Sequence, residues 1–147
     1  MLHLKTITKD NWWKAISLRV REDQVKFVAS NAVSLAQLNF LENFYAKGIY
    51  HGEEMIGFTL YGMDEDDHEY WIYRMMIDQK HQGKGYGIKA IKLVIDDIRN
   101  IKEDRHQTIT LSYVPTNEHA KRVYEKAGFQ EIDGLIIHDE QVSRFTF

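Results

Sequence analysis

Three glycines at alternate positions, Gly83, Gly85 and Gly87, lie in the string QGKGYG, between an apolar stretch and a helical pattern. Glycine has no Cβ, so the backbone there can curve tightly and come close to a ligand. A helix starting just behind the loop would aim free N–H groups and the positive end of its dipole at it. That combination suits phosphate-like anions. Lys84 and Lys89 add positive charge nearby. The string is not a G-x-x-x-x-G-K-[ST] phosphate loop. It is also not the G-x-G-x-x-G dinucleotide fingerprint, which follows the first strand of its fold. A glycine turn that merely joins a strand to a helix fits the string as well. A second constellation is SYVPTNEHAKRVYEKAGF, residues 112–129. Thr116 or Asn117 can cap a helix that carries Ala120, Val123, Tyr124 and Ala127 on one face and ends at Gly128. By spacing alone, Asn117 reads as a cap and Tyr124 as a packed aromatic.

The elements that must position these residues are legible along the chain. Leu2–Ile7 alternates as a strand. Asp10 can cap a helix through about Val20, with Trp13, Ile16 and Val20 on one face. Ser34 and Gln37 have capping-box spacing ahead of Leu35, Leu38 and Leu41, which predicts a second helix ending near Glu42. Residues 44–50 and 54–63 read as a hairpin around His51-Gly52-Glu53. DEDDHE, residues 64–69, is a polar connection, and YWIYRMMI, residues 70–77, is a strand rich in aromatic and apolar side chains. Ile88, Ile91, Val94, Ile95 and Ile98 predict a helix to about Asn100. Residues 107–114 are a strand stopped by Pro115, and two strands, about 129–137 and 141–147, close the chain. The order is βααβββαβαββ, a single α/β (α+β) domain over residues 1–147 with a mixed sheet flanked by helices.

Composition narrows the function classes. The chain has 147 residues, net charge −3, no cysteine and one proline. Its apolar content and low charge exclude a disordered chain. The lack of cysteine excludes a disulfide scaffold and a thiolate metal site, and agrees with a reducing compartment. No apolar run is long enough to span a membrane. The N-terminal residues carry no apolar signal core, so a cytoplasmic location is expected. Residues 1–79 hold 8 Lys+Arg and 12 Asp+Glu, whereas residues 80–147 hold 11 and 10. No broad basic face is implied, so nucleic acid is not an expected partner. A local anion site in the second half is.

Taken together, the two constellations resemble the GNAT superfamily of N-acetyltransferases. Gln82-x-x-Gly85-x-Gly87 matches the family's [RQ]-x-x-G-x-[GA] loop. Asn117-x-x-Ala120-x-x-x-Tyr124-x-x-x-Gly128-Phe129 matches its second block. The resemblance implies that acetyl-CoA is the co-substrate, with no metal. It enters a gap where the strand before the loop, which carries a bulge, splays from the strand after the helix. The backbone of Met75, Met76 and Ile77 would pair with the pantetheine arm. Gln82, Gly83, Lys84, Gly85, Tyr86 and Gly87 would hold the pyrophosphate. Asn117 would hydrogen-bond the arm. Tyr124 would stand near the thioester sulfur as general acid, and a backbone N–H near Met76 or Ile77 would stabilise the oxyanion.

The strings at 22–37, 48–63 and 73–87 resemble small bacterial spermine/spermidine acetyltransferases more closely. That resemblance implies a small cationic amine as acceptor, with Gln24, Phe27 and Val28 on the acceptor side. The acids Glu22 and Asp23, and the cluster at 64–69, would attract it. Tyr73 stands where such relatives often have a carboxylate base. The base therefore remains open among Asp78, Glu22, Asp23, His81 and a water chain. Another small amine, an antibiotic amine or a protein N-terminus are alternative acceptors, and a non-catalytic acetyl-CoA sensor is an alternative role. The apolar closing strands could pair with a second subunit as a homodimer.

Overall fold

The computed structural model describes all 147 residues. Seven strands form one sheet: β1 (Leu2–Thr6), β2 (Phe44–His51), β3 (Glu54–Met63), β4 (Tyr70–Ile77), β5 (Thr108–Tyr113), β6 (Gln130–Ile137) and β7 (Glu140–Thr146). Their spatial order is β1-β2-β3-β4-β5-β7-β6. Every pairing is antiparallel except β4 with β5. Four helices cover the sheet: α1 (Trp12–Ser17), α2 (Asn31–Leu38), α3 (Tyr86–Ile101) and α4 (Glu118–Lys126). The expected order is therefore observed. Two short 3-10 segments, Glu22–Phe27 and Gln79–His81, add to it.

One face of the sheet packs on α3 and α4. Of the repeat read from the sequence, Ile91, Val94, Ile95 and Ile98 are buried there against Tyr70, Ile72, Ile109, Leu111 and Tyr113, while Ile88 is only half-buried. Burying one such aliphatic side chain contributes about 1.5–3 kcal/mol. The opposite face packs on α1 and α2, with Ala15, Leu18, Phe58, Leu60 and Met76 at its centre.

The first two helices depart from expectation. Asp10 does not cap α1. Asn11 occupies that position, and its side chain accepts from the Thr8 N–H and donates to Thr6 O. These bonds fix the chain one residue later than the Asp10 reading. Helix α1 ends at Ser17, and Trp13 is 60% exposed rather than on the core face. Ala15 and Leu18 take that place. Helix α2 is capped by Ser30, whose hydroxyl accepts from the Val33 N–H. Ser34 lies inside the helix and donates to Ser30 O, so the expected capping box with Gln37 does not form, and the helix ends at Leu38.

Two features of β4 position the site. Against β3, Leu60 pairs with Arg74 and Tyr61 with Ile72, which leaves Tyr73 as the extra residue of a bulge. Against β5, only Tyr70–Ile109 and Trp71–Thr110 are in register. Beyond Trp71 the two strands part. The bulge and the splay both agree with the sequence reading.

Candidate active site

The gap between β4 and β5 opens into a cleft of about 680 Å³. Backbone groups line its β4 edge. Asp78 donates its N–H to Ile56 O, while Ile77 stands opposite Gly57. In an antiparallel ladder hydrogen-bonding residues alternate. Met76 and Arg74 therefore turn their backbone groups to β3, and Ile77 and Met75 turn theirs to the gap. Consistently, Arg74 O accepts from the Thr59 hydroxyl on β3. Met76 thus reaches the cleft by its position but keeps its N–H for β3. Its side chain is buried, in contact with Asn31 Nδ2.

The glycine loop closes one end. Gly83 and Gly85 adopt φ of +78° and +79°, and no heavy atom comes within 4 Å of where a Cβ would stand on either. The left-handed backbone, rather than crowding within the protein, calls for glycine here. Gly85 is the N-cap of α3 and offers no capping side chain. The first-turn N–H groups are left facing the loop. By contrast, α2 and α4 are capped by Ser30 and Asn117. The Gln82 side chain bridges Ile77 O at 2.9 Å and Gln24 Oε1 at 3.0 Å, tying the loop to β4 and to the first 3-10 segment. Gln82, Gly83, Gly85, Tyr86 and Gly87 line the cleft. Lys84 does not; it is the exposed residue between the two glycines.

Helix α4 forms the wall across from β4. Asn117 accepts from the Ala120 N–H through Oδ1, which leaves its amide N–H₂ free. Tyr124 is packed between Tyr113, stacked at 5.7 Å between ring centroids, and Phe129 at 5.9 Å. Its hydroxyl makes no hydrogen bond within the protein, and the residue lines the cleft. Burial, and then the charge of Glu140, pushes its pKa up to about 12. Arg122 and Lys126, one turn apart on this helix, also line the cleft, as does His119. Burial, Arg122 and Arg21 hold the His119 imidazole below its ordinary value, so it is neutral at pH 7.

The face of α1 and α2 supplies the other chamber. Gln24, Phe27 and Val28 line it, together with Val20, Ala29 and Tyr73. Glu22 and Asp23 do not; both are exposed, and Asp23 pairs with Arg21 at 3.3 Å. The acidic connection is also outside the cleft. Asp64 accepts the N–H groups of Asp66 and Asp67, and Asp67 accepts the Trp71 indole. Tyr73 donates its hydroxyl to Asp64, and burial plus that bond push its pKa upward. It is no base at neutral pH. Asp78 is buried and accepts from the N–H groups of Arg19 and Lys80. His81 faces Glu54 at 3.4 Å. No group of three or more His, Asp or Glu side chains is placed to hold a metal ion. No helix is long and apolar enough to cross a membrane.

The sequence reading missed Arg74, Ser112, Arg122, Lys126 and Glu140, all of which line the cleft. Arg122 and Lys126 could have been found by their i, i+4 spacing on the helix that carries Tyr124. Nothing local marks the other three.

Comparison with known proteins agrees with this fold. The model of the acetyltransferase (GNAT) family matches residues 11–129. A spermine/spermidine N(1)-acetyltransferase of Bacillus subtilis strain 168 is 31% identical, over 96% of this chain and 95% of its own length. A probable spermine N(1)-acetyltransferase of Bacillus subtilis subsp. natto has the same identity and coverage. Among solved structures, an aminoglycoside acetyltransferase in complex with coenzyme A and kanamycin superposes with TM-score 0.81 at 19% identity, over 99% of this chain and 95% of that one. The spermidine N-acetyltransferase of Vibrio cholerae in complex with CoA and spermine has TM-score 0.75 at 17% identity, over 99% and 94%.

Proposed function

This chain belongs to the acetyltransferase (GNAT) family, and we propose that it moves the acetyl group of acetyl-CoA to a primary amine of a polyamine such as spermine or spermidine. Acetyl transfer from acetyl-CoA follows from the family; the polyamine acceptor and the residue roles are our reading. The observation that carries the acceptor is the 31% identity to the Bacillus subtilis spermine/spermidine enzyme over almost the whole of both chains. The apolar side chains Val20, Phe27, Val28 and Ala29 on the α1 and α2 side of the cleft support it, since methylene spacers of a polyamine can be buried against them.

In this reading the open backbone of Met75 pairs with the amides of the pantetheine arm, as an added strand would, while Ile77 O is held by the Gln82 side chain. The Gly83–Gly87 loop and the uncapped start of α3 take the pyrophosphate. Arg122 and Lys126 add positive charge along the same cleft for the cofactor's phosphates. The N–H of Ile77 is the donor for the developing oxyanion. Tyr124 gives its proton to the departing sulfur.

The test is thiol release from acetyl-CoA with spermine, spermidine, a lysine-bearing peptide and an aminoglycoside. Turnover with the two polyamines well above the rest is expected. Release with the peptide alone would sink the polyamine acceptor, and CoA binding with no release for any amine would favour a sensor.

Asn117 can be split into its two roles. Asn117→Asp keeps an oxygen for the Ala120 N–H, so the melting temperature should hold; truncation to Ala would cost about 1 kcal/mol. The same change removes the free amide donor from the cleft and puts a negative charge beside an anionic ligand. The expected outcome is a KM for acetyl-CoA raised about tenfold with an unchanged melting curve. An unchanged KM would reduce Asn117 to a cap.

A further inference from the structure

We propose that Glu140 is the carboxylate that receives the acceptor's ammonium group and takes its proton before attack. This rests on the acetyl-transfer reading above and adds a residue to it.

Among the 28 residues that line the cleft, Glu140 is the only carboxylate. Its place follows from the sheet. Ile109, Leu111 and Tyr113 of β5 point to α3 and α4. Side chains alternate along a strand, so Ser112 points to the opposite, acceptor face. Gln141 pairs with Tyr113 across β5 and β7, which puts the preceding Glu140 on the face of Ser112. The contact agrees: the Ser112 hydroxyl donates to Glu140 Oε1 at 2.7 Å. The second carboxylate oxygen makes no hydrogen bond or ion pair within the protein. Arg74 of β4 shares that face, where its guanidinium donates to Gln37 of α2 at 3.0 Å.

The charge of Glu140 acts on both sides of the gap. It raises the pKa of Tyr124, from α4, and opposes the fall that burial imposes on Arg74. Glu140 and Tyr124 line the same cleft from opposite faces of the sheet. The bases named from the sequence are engaged or elsewhere. Asp78 has both oxygens hydrogen-bonded, His81 faces Glu54, and Glu22 and Asp23 lie outside the cleft.

The step balances without a further reagent. An alkylammonium gives one proton to the Glu140 carboxylate and becomes a neutral amine. The nitrogen forms a bond to the acetyl carbonyl carbon, and the carbon–sulfur bond breaks. Tyr124 protonates the leaving sulfur and recovers a proton from the new amide nitrogen. Glu140 then returns its proton to solvent. Ser112 keeps one oxygen of the carboxylate fixed, so the other remains available to the amine.

The test is steady-state kinetics on the full chain. Glu140→Gln keeps the shape of the side chain and should leave the melting temperature and the KM for acetyl-CoA within about twofold or a few degrees of wild type. Its kcat/KM for spermine should fall about 100-fold, within the usual range for loss of a general base. Glu140→Asp should recover at least tenfold of that loss. The deficit of Glu140→Gln should shrink with 1,2-diaminoethane, in which repulsion between two close ammonium groups leaves one nitrogen largely neutral. A structural role would not distinguish the two amines. Wild-type turnover with an undiminished Glu140→Gln overturns this inference alone, as does an equal deficit for both amines. Absence of wild-type turnover with every amine overturns the acetyl-transfer reading with it.

Discussion

Tyr124→Phe is expected to lower turnover by about 10²–10⁴-fold at neutral pH and to leave CoA affinity within about twofold. The substitution removes one oxygen and nothing else. The ring is held by Tyr113 and Phe129 on either side, so phenylalanine keeps the same position. The hydroxyl has no partner inside the protein, so no internal hydrogen bond is lost, and the melting temperature should move little. What disappears is the proton that neutralises the leaving thiolate. The pH behaviour of wild type follows from the direction of the shift. A raised pKa, to about 12, keeps the phenol protonated far above neutrality. Tyr124 should therefore impose no alkaline fall in kcat over the range where the protein stays folded, and any acid-side fall belongs to another group. Thiol release and calorimetric CoA binding measure the two quantities separately. Equal turnover in the two proteins would remove Tyr124 from the chemistry.

The features that decide this prediction were legible in the sequence because they are local. Asn117, Tyr124 and Gly128 lie at fixed steps on one short helix, and the glycine loop lies between one strand and one helix. Helical spacing alone sets α3 and its buried face. The helix starts of the first third were less legible, because neighbouring polar residues compete for one capping role. Asn11 prevailed over Asp10 by also satisfying Thr6 and Thr8, and Ser30 prevailed over Ser34 by standing where the chain enters α2. The electrostatic reading fared differently. A negative first half suggested an acidic acceptor chamber, yet Asp64 and Asp67 spend their oxygens on their own turn and on Trp71. A count of charges carries no information on which side chains face a cleft. Glu140 and Arg74 reach it only through the β5–β7 register and the bulge at Tyr73, which join residues far apart in sequence.

Gly57→Ala is expected to lower stability by about 1–3 kcal/mol and to raise the KM for acetyl-CoA more than tenfold. A Cβ at Gly57 would stand 2.5 Å from Met76 O, 3.0 Å from Ile77 Cδ1 and 3.1 Å from Ile49 Cδ1. The two isoleucine tips can turn aside. The Met76 oxygen is backbone, so relief requires β4 itself to move. That strand is bonded to β3 along one edge and presents Met75 and Ile77 to the gap along the other. A shift there displaces the backbone groups that would pair with the pantetheine arm. For a domain of this size the destabilisation corresponds to a melting temperature lower by roughly 3–10 °C. Ile98→Val separates the site effect from the stability effect. Ile98 is fully buried on the inner face of α3, and its loss of one methylene should cost about 1 kcal/mol. Because Ile98 lies outside the cleft, acetyl-CoA should bind that variant with an unchanged KM. If Gly57→Ala and Ile98→Val lose stability to a similar degree and both keep the wild-type KM, the spacing of β3 and β4 does not set the geometry of the cofactor edge.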